Sequence, residues 1–215
     1  MRRSTLDPLI LNRSLKLIEE IYDESMYGSN DIYRIKDVVH SLDRNHWESK
    51  QWLVEELYKL YKFDTGSFYI GGGWHGLLAF LLRQQWDESK LNITSGDIDP
   101  KCEKLAYKLF YDQDINFITE DIETADLSKY SAVISTSCEH IEKRVLGEFI
   151  ERKNEDSWIV LQSNNFYDCP SHISCHDTIE DFIKWVRPHI KEKIYYAGVQ
   201  PTFDNYFDRF MIIAK

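Results

Sequence analysis

The chain has 215 residues, 43% of them hydrophobic and 29% charged, a length at which about 70% of the unfolded surface can be buried in one core, so one domain over 1–215 is expected. Its formal net charge of -10 and pI near 5.2 exclude a broad electrostatic surface for duplex nucleic acid, which depends on Lys and Arg neutralising many phosphates. Cys102, Cys138, Cys169 and Cys175 are too few for a disulfide framework, no signal-peptide core opens the chain, and no run approaches membrane-span length, so a cytoplasmic protein is expected.

Residues 1–62 read as a helical extension. Leu15, Ile18, Ile21 and Tyr22 recur at helical spacing, a shorter helix spans about 31–42, and Trp47, Leu53, Leu57, Leu60 and Tyr61 mark a longer one. These helices precede the first clear strand and must lie on the edge or over the top of the sheet that follows. Beyond Ser67 the pattern alternates, with strands near 67–72, 91–97, 115–119, 130–136 and 157–163 and helices near 74–86, 100–111, 139–153 and 177–188. Such alternation implies a three-layer, doubly wound α/β fold with a mostly parallel sheet. The runs 193–200 and 207–214 have only a short connection and should close the sheet as an antiparallel hairpin.

Three features of this frame carry chemistry. Gly71, Gly73 and Gly76 form a G-x-G-x-x-G turn between the first strand and its helix, letting backbone approach a ligand that side chains would push away. Asp97 ends the second strand 26 positions after Gly71, the separation at which a carboxylate reaches a ribose held over that turn. Asp121 follows the third strand, where its carboxylate or the nearby backbone could meet an adenine amino group. Asp99 stands before Pro100, a helix-start pattern that favours an N-cap as much as a ligand contact.

The segments IGGGWHGLLAF, SGDIDPKCEKLA, NFITEDIET, SAVISTSCEHI, SWIVLQSNN and FDRFMIIAK together resemble the class I S-adenosylmethionine-dependent methyltransferases over residues 47–215. The resemblance implies that Gly71, Gly73 and Gly76 hold the methionine part of S-adenosylmethionine, Asp97 the ribose and Asp121 the adenine. The pair Glu139-His140 is similar to one common in small-molecule members. Two positions depart from the family pattern: Tyr69 stands where an acid is usual, and the loop carries one residue more than G-x-G-x-G, a form a nicotinamide-binding enzyme would equally show.

Methyl transfer requires an acceptor held in line, a proton removed where the acceptor carries one, and water excluded. His140, after the fourth strand, is a candidate base because imidazole titrates near neutrality; the alternative places it with Glu139 at the start of the next helix. Asn164 and Asn165 could orient a polar acceptor by amide hydrogen bonds, or serve as turn residues. The crowded CPSHISCH segment (Cys169, His172, Cys175, His176) matches no usual zinc spacing, so no metal is expected there; it reads as a substrate-side loop with His172 a second candidate base, ending in an N-cap and capping box at Asp177 and Glu180. Lys50 either reaches toward the cofactor's carboxylate or lies on an exposed helix face.

The function expected is methyl transfer to a small or compact acceptor, with a small molecule favoured over nucleic acid as partner and no membrane. Transfer of the aminocarboxypropyl arm, an NAD(P)-dependent enzyme and a non-catalytic S-adenosylmethionine-binding subunit are the alternatives, because fold does not choose among them.

Overall fold

Runs of β-branched and aromatic residues separated by amphipathic helices produce a seven-stranded sheet in the computed structural model, which describes residues 8–26, 32–61, 65–86, 90–191 and 193–215. The strands are β1 (Gly66–Gly71), β2 (Leu91–Asp97), β3 (Asn116–Thr119), β4 (Ala132–Ser135), β5 (Trp158–Asn164), β6 (Ile194–Pro201) and β7 (Asp208–Ala214), in the spatial order β3-β2-β1-β4-β5-β7-β6. The first five are parallel, and β7 inserts antiparallel between β5 and β6. All seven residues of β5 are buried, as a parallel strand covered on both faces requires, whereas edge strand β6 alternates between exposed and half-buried.

The helices are α1 (Pro8–Met26), α2 (Tyr33–Ser41), α3 (Arg44–Leu60), α4 (Leu77–Gln85), α5 (Pro100–Phe110), α6 (Lys143–Glu151) and α7 (Ile179–Val186). On one face of the sheet, residues such as Ile10, Leu53, Leu82 and Phe110 share a core with Phe68 and Ile70 of β1. The N-terminal helices are thus part of the same core as α4 and α5. On the other face, Phe149 and Phe182 of α6 and α7 cover Val133, Ile159 and Ile212. The three-layer, mostly parallel architecture and its C-terminal hairpin match the expected fold class. No described helix is long and apolar enough to cross a membrane.

Several local expectations change. The buried stripe of α1 is Ile10, Leu17 and Ile21, while Leu15 and Tyr22 face outward at 52% and 50% exposure; periodicity gave the helix, but burial of α1 against α2 and α5 selected a different face. Helix α4 begins at Leu77 rather than 74 because Trp74 and Gly76 take positive φ of 48° and 81°, which breaks helical geometry. The expected helix 139–153 divides into a 3-10 turn (Cys138–His140) and α6. The cap of α7 is Thr178, whose hydroxyl accepts from the Asp181 N–H, so Asp177 and Glu180 form no capping box. Asp99 does cap α5, accepting from the Lys101 N–H with Pro100 next to it. Residue 31 of the expected second helix lies outside the described residues.

Parallel pairing aligns the strand ends that matter. Gly71 is in register with Gly96 and Ser135, Asp97 with Thr119, and Asn164 with Arg209. The strand order reverses between β1 and β4, so their diverging connections leave a crevice at the carboxyl edge, where open α/β sheets place ligands.

Candidate active site at the carboxyl edge

A cavity of about 1040 Å³ fills that crevice, roofed by the junction of α2 and α3 and floored by the loops after β1, β2, β3 and β4. A shallower depression of about 550 Å³ near Lys59, Trp158 and Lys215 lies at the opposite edge of the sheet. None of the sequence-expected site residues line it.

The glycine loop contributes to the large cavity through Gly72 and Gly73. Gly72 has φ of +67°, and a Cβ there would meet nothing closer than Ser137 at 3.7 Å; it faces open space, where ligand atoms can approach the backbone. Gly73 lies so close to β2 that a Cβ would sit 2.0 Å from Ser95 Oγ. The outer glycines of the expected motif serve packing: a Cβ on Gly71 would press Ile122 and Phe149 at 3.0 and 3.2 Å, and one on Gly76, at φ +81°, would strike Phe117 at 2.6 Å. Neither Gly71 nor Gly76 lines the cavity. Gly72 was legible only as the middle of a glycine run, because the motif spacing points past it.

Asp97 and Asp121 both line the cavity. Asp97 also anchors the loop: its Oδ2 accepts from the Trp74 N–H at 2.9 Å and its Oδ1 from the Asp99 N–H at 3.1 Å. Asp121 Oδ1 accepts from the Glu123 N–H at 2.9 Å. Tyr69 is fully buried between Tyr130 and Phe149 on the α6 side, and its hydroxyl makes no hydrogen bond of good geometry, though Glu120 lies close to it. Burial first, and then the nearby Glu120, holds that phenol well above its ordinary range. His75 is likewise buried with both ring nitrogens unpartnered, and burial, helped by Arg34, pushes it down to about 4.

Away from the glycine loop the same cavity is lined by His140, His172, Phe166, Phe207 and Arg209, a group of walls termed the chamber. The two expected histidines meet there, ring centroids 4.4 Å apart at 85°. Glu139, 4% exposed, lies with them: its Oε1 accepts from Asn164 Nδ2 at 2.6 Å, and its Oε2 is buried without a partner. Asn164 therefore orients Glu139 instead of lining the chamber. Asn165 is also away from the cavity, its Oδ1 accepting from the Asp208 N–H at 2.7 Å. The CPSHISCH residues diverge: Cys175 points at Phe166 O and His176 at Ser163, both buried, and only Cys169 and His172 reach the cavity.

Two buried cations complete the chamber. Lys50 of α3 is 8% exposed, with long contacts of 3.5 and 3.4 Å to Thr136 O and Gln162 Oε1; burial, reinforced by Arg209, pushes its ammonium down to about 7. Arg209 of β7 is 6% exposed, its Nε has no partner, and its guanidinium lies 5.3 Å from the Phe207 ring centroid. Sequence reading missed Arg209. Its one signal was its place directly before the apolar run Phe210-Met211-Ile212-Ile213-Ala214, where a buried charge favours function or a partner over chance.

Neither the protein-family models nor the curated proteins include a match to this sequence. Solved structures do match in shape. Magnesium protoporphyrin IX methyltransferase ChlM from Synechocystis PCC 6803, with bound SAM, superposes with a TM-score of 0.62 at 17% identity over 99% of each chain. A geranyl diphosphate methyltransferase in complex with GPP and sinefungin gives 0.61 at 9% identity, covering 78% of this chain and 77% of that one. The pyocyanin biosynthetic protein PhzM gives 0.62 at 12% identity over 90% of this chain and 61% of its own. With the strand order, the reversed β7 and the carboxyl-edge cavity, these likenesses show that the chain has the fold of the class I S-adenosylmethionine-dependent methyltransferases.

Proposed function

We propose that the protein is an S-adenosylmethionine-dependent methyltransferase acting on a small or compact acceptor. One observation carries the reading: a single cavity of about 1040 Å³ is lined both by the glycine loop, Asp97 and Asp121 and by His140 and His172. Ligand pockets run to about 300–1,000 Å³, and this one stands at the top of that range. Structural neighbours of the same fold bind SAM or sinefungin.

The residues present fit that cofactor. A side chain on Gly72 would occupy the space left open beside the loop, Asp97 and Asp121 present carboxylates to ribose hydroxyls and an adenine amino group, and Lys50 is a buried cation that no carboxylate contacts within hydrogen-bond distance. Lys50 would balance the methionine carboxylate. The cofactor supplies a methyl group already activated by its sulfonium. What the chain must add is position and dryness: Phe166 and Phe207, stacked 4.9 Å apart, wall the chamber, and Arg209 offers its guanidinium to a polar or anionic acceptor group. An acceptor proton would leave toward the Glu139, His140 and His172 cluster.

Calorimetry with S-adenosylhomocysteine and NADH tests the reading. One micromolar site for S-adenosylhomocysteine is expected; NADH binding without it would overturn the proposal. Incubation of the chain alone with labelled S-adenosylmethionine and a panel of small acceptors separates an enzyme from a binding subunit.

A further inference from the structure

We infer that Glu139, His140 and His172 form a binding site for one divalent transition-metal ion of the zinc, cobalt or iron(II) class at the floor of the acceptor chamber. A donor atom from each of the three side chains lies within 4.8 Å of the others. Ligand atoms around an ion at about 2.1 Å stand roughly 3 to 3.5 Å apart, so small side-chain rotations close the site.

The donors are prepared for this. A carbonyl can only accept, so His172 Nδ1, 2.6 Å from Phe166 O, carries the proton and leaves Nε2 with a free lone pair. The ring of His140 packs edge-on against that of His172, centroids 4.4 Å apart. Glu139 commits Oε1 to Asn164 at 2.6 Å, while Oε2, in a residue 96% buried, has no partner at all. An unpaired buried carboxylate oxygen costs several kcal/mol in general unless something satisfies it. The loop bearing His172 is fixed to Glu139 itself, because the Ile173 and Ser174 N–H groups both donate to Glu139 O at 2.9 and 3.0 Å. Ligands held by a second layer of hydrogen bonds are the usual architecture of a metal centre.

The donor set selects the ion. Two imidazoles and one carboxylate suit zinc, cobalt or iron, whereas magnesium and calcium require oxygen-rich sites. Three protein ligands leave a coordination position open, and all three residues line the cavity. Resting on the methyltransferase reading for its role alone, the ion would take the acceptor's oxygen or nitrogen atom and lower its pKa so that the proton passes to water, the two histidines then serving as ligands in place of bases. Lys50 and Arg209, whose charges act on Glu139, subtract from cation affinity.

The test is titration of the chelator-stripped chain with Co²⁺, read by its visible absorption bands, and with Zn²⁺ and Mg²⁺ by calorimetry. One equivalent of Co²⁺ or Zn²⁺ should bind, with His140→Gln, His172→Gln and Glu139→Gln each weakening it at least tenfold and Cys169→Ser leaving it within twofold. His172 is only half-buried, so its variant keeps the test valid if Glu139→Gln fails to fold. Absence of saturable Co²⁺ and Zn²⁺ binding, binding indifferent to both histidine substitutions, or equal loss in Cys169→Ser would overturn the inference. S-adenosylhomocysteine binding on the same samples keeps the two readings apart: uptake of that ligand without metal defeats the metal site alone, and metal without that ligand defeats the methyltransferase reading.

Discussion

Replacing Asp97 by Ala separates what this carboxylate does for the loop from what it does for a ligand. In the free protein it accepts from the Trp74 and Asp99 N–H groups at 2.9 and 3.1 Å, holding the glycine loop to the start of α5. Hydrogen bonds to a charged group contribute about 1.5 to 3 kcal/mol each, and Asp97 is half-buried, so solvent reclaims part of that and a stability loss of about 2 to 3 kcal/mol is expected. Loss of a ribose contact of the same kind adds about 1.5 to 3 kcal/mol to ligand binding, or roughly a 10- to 150-fold rise in the dissociation constant for S-adenosylhomocysteine. Chemical denaturation measures the first quantity and calorimetry on the folded variant the second. A ligand lacking the ribose 2′-hydroxyl closes a thermodynamic cycle: it should bind the native protein more weakly than S-adenosylhomocysteine does, yet bind the Ala variant equally well. If the variant folds and binds S-adenosylhomocysteine within twofold of the native protein, or if both proteins discriminate the deoxy ligand equally, Asp97 is only a loop anchor.

The glycines should divide by experiment as they do by geometry: Gly76→Ala, with φ +81° and Phe117 in the way, should lower stability by about 2 to 4 kcal/mol, whereas Gly72→Ala, open to the cavity, should cost about 1 kcal/mol of stability and weaken S-adenosylhomocysteine binding severalfold; the reverse ranking by denaturation and calorimetry would refute the assignment. Tyr69→Phe removes a hydroxyl that makes no hydrogen bond of good geometry and should change stability by less than about 1 kcal/mol, with ligand affinity unchanged; a tenfold affinity loss would restore to Tyr69 the role of the acid it replaces. His75, facing Arg34 and Asp99, is held neutral down to about 4. The unfolded chain therefore binds its proton first, and stability present above pH 6.5 should fall as pH drops toward 4, by up to about 3 kcal/mol at 1.4 kcal/mol per pH unit; His75→Phe should flatten that window in pH-dependent melts. Lys50, facing Arg209, Glu139 and Cys138 and pushed down to about 7, should gain a proton when an anionic carboxylate arrives. S-adenosylhomocysteine binding at pH 8 should then take up protons, visible in calorimetry as a dependence on buffer ionisation enthalpy, and Lys50→Met should abolish it; buffer-independent heats in the native protein would remove Lys50 from the ligand site.

Sequence by itself determined what is local or periodic. Strand and helix alternation gave the layered sheet, the pair 193–200 and 207–214 gave the reversed final hairpin, and the Asp99-Pro100 pair gave the cap of α5, because these depend on neighbours a few residues away. The carboxyl-edge positions of Asp97 and Asp121 followed from the same alternation, since parallel strands end together. Orientation did not. Whether Leu15 or Leu17 of α1 is buried, whether Asn164 faces a ligand or Glu139, and which glycine opens on the cavity are settled by contacts between segments distant in the chain. Lys50, Glu139, His172 and Arg209 come from four separate elements and meet only because β7 inserts beside β5 while α3 lies across their ends. Their unpaired charges and lone pairs are a property of that meeting, as desolvation and the lack of a partner arise only once the surrounding chain has excluded water.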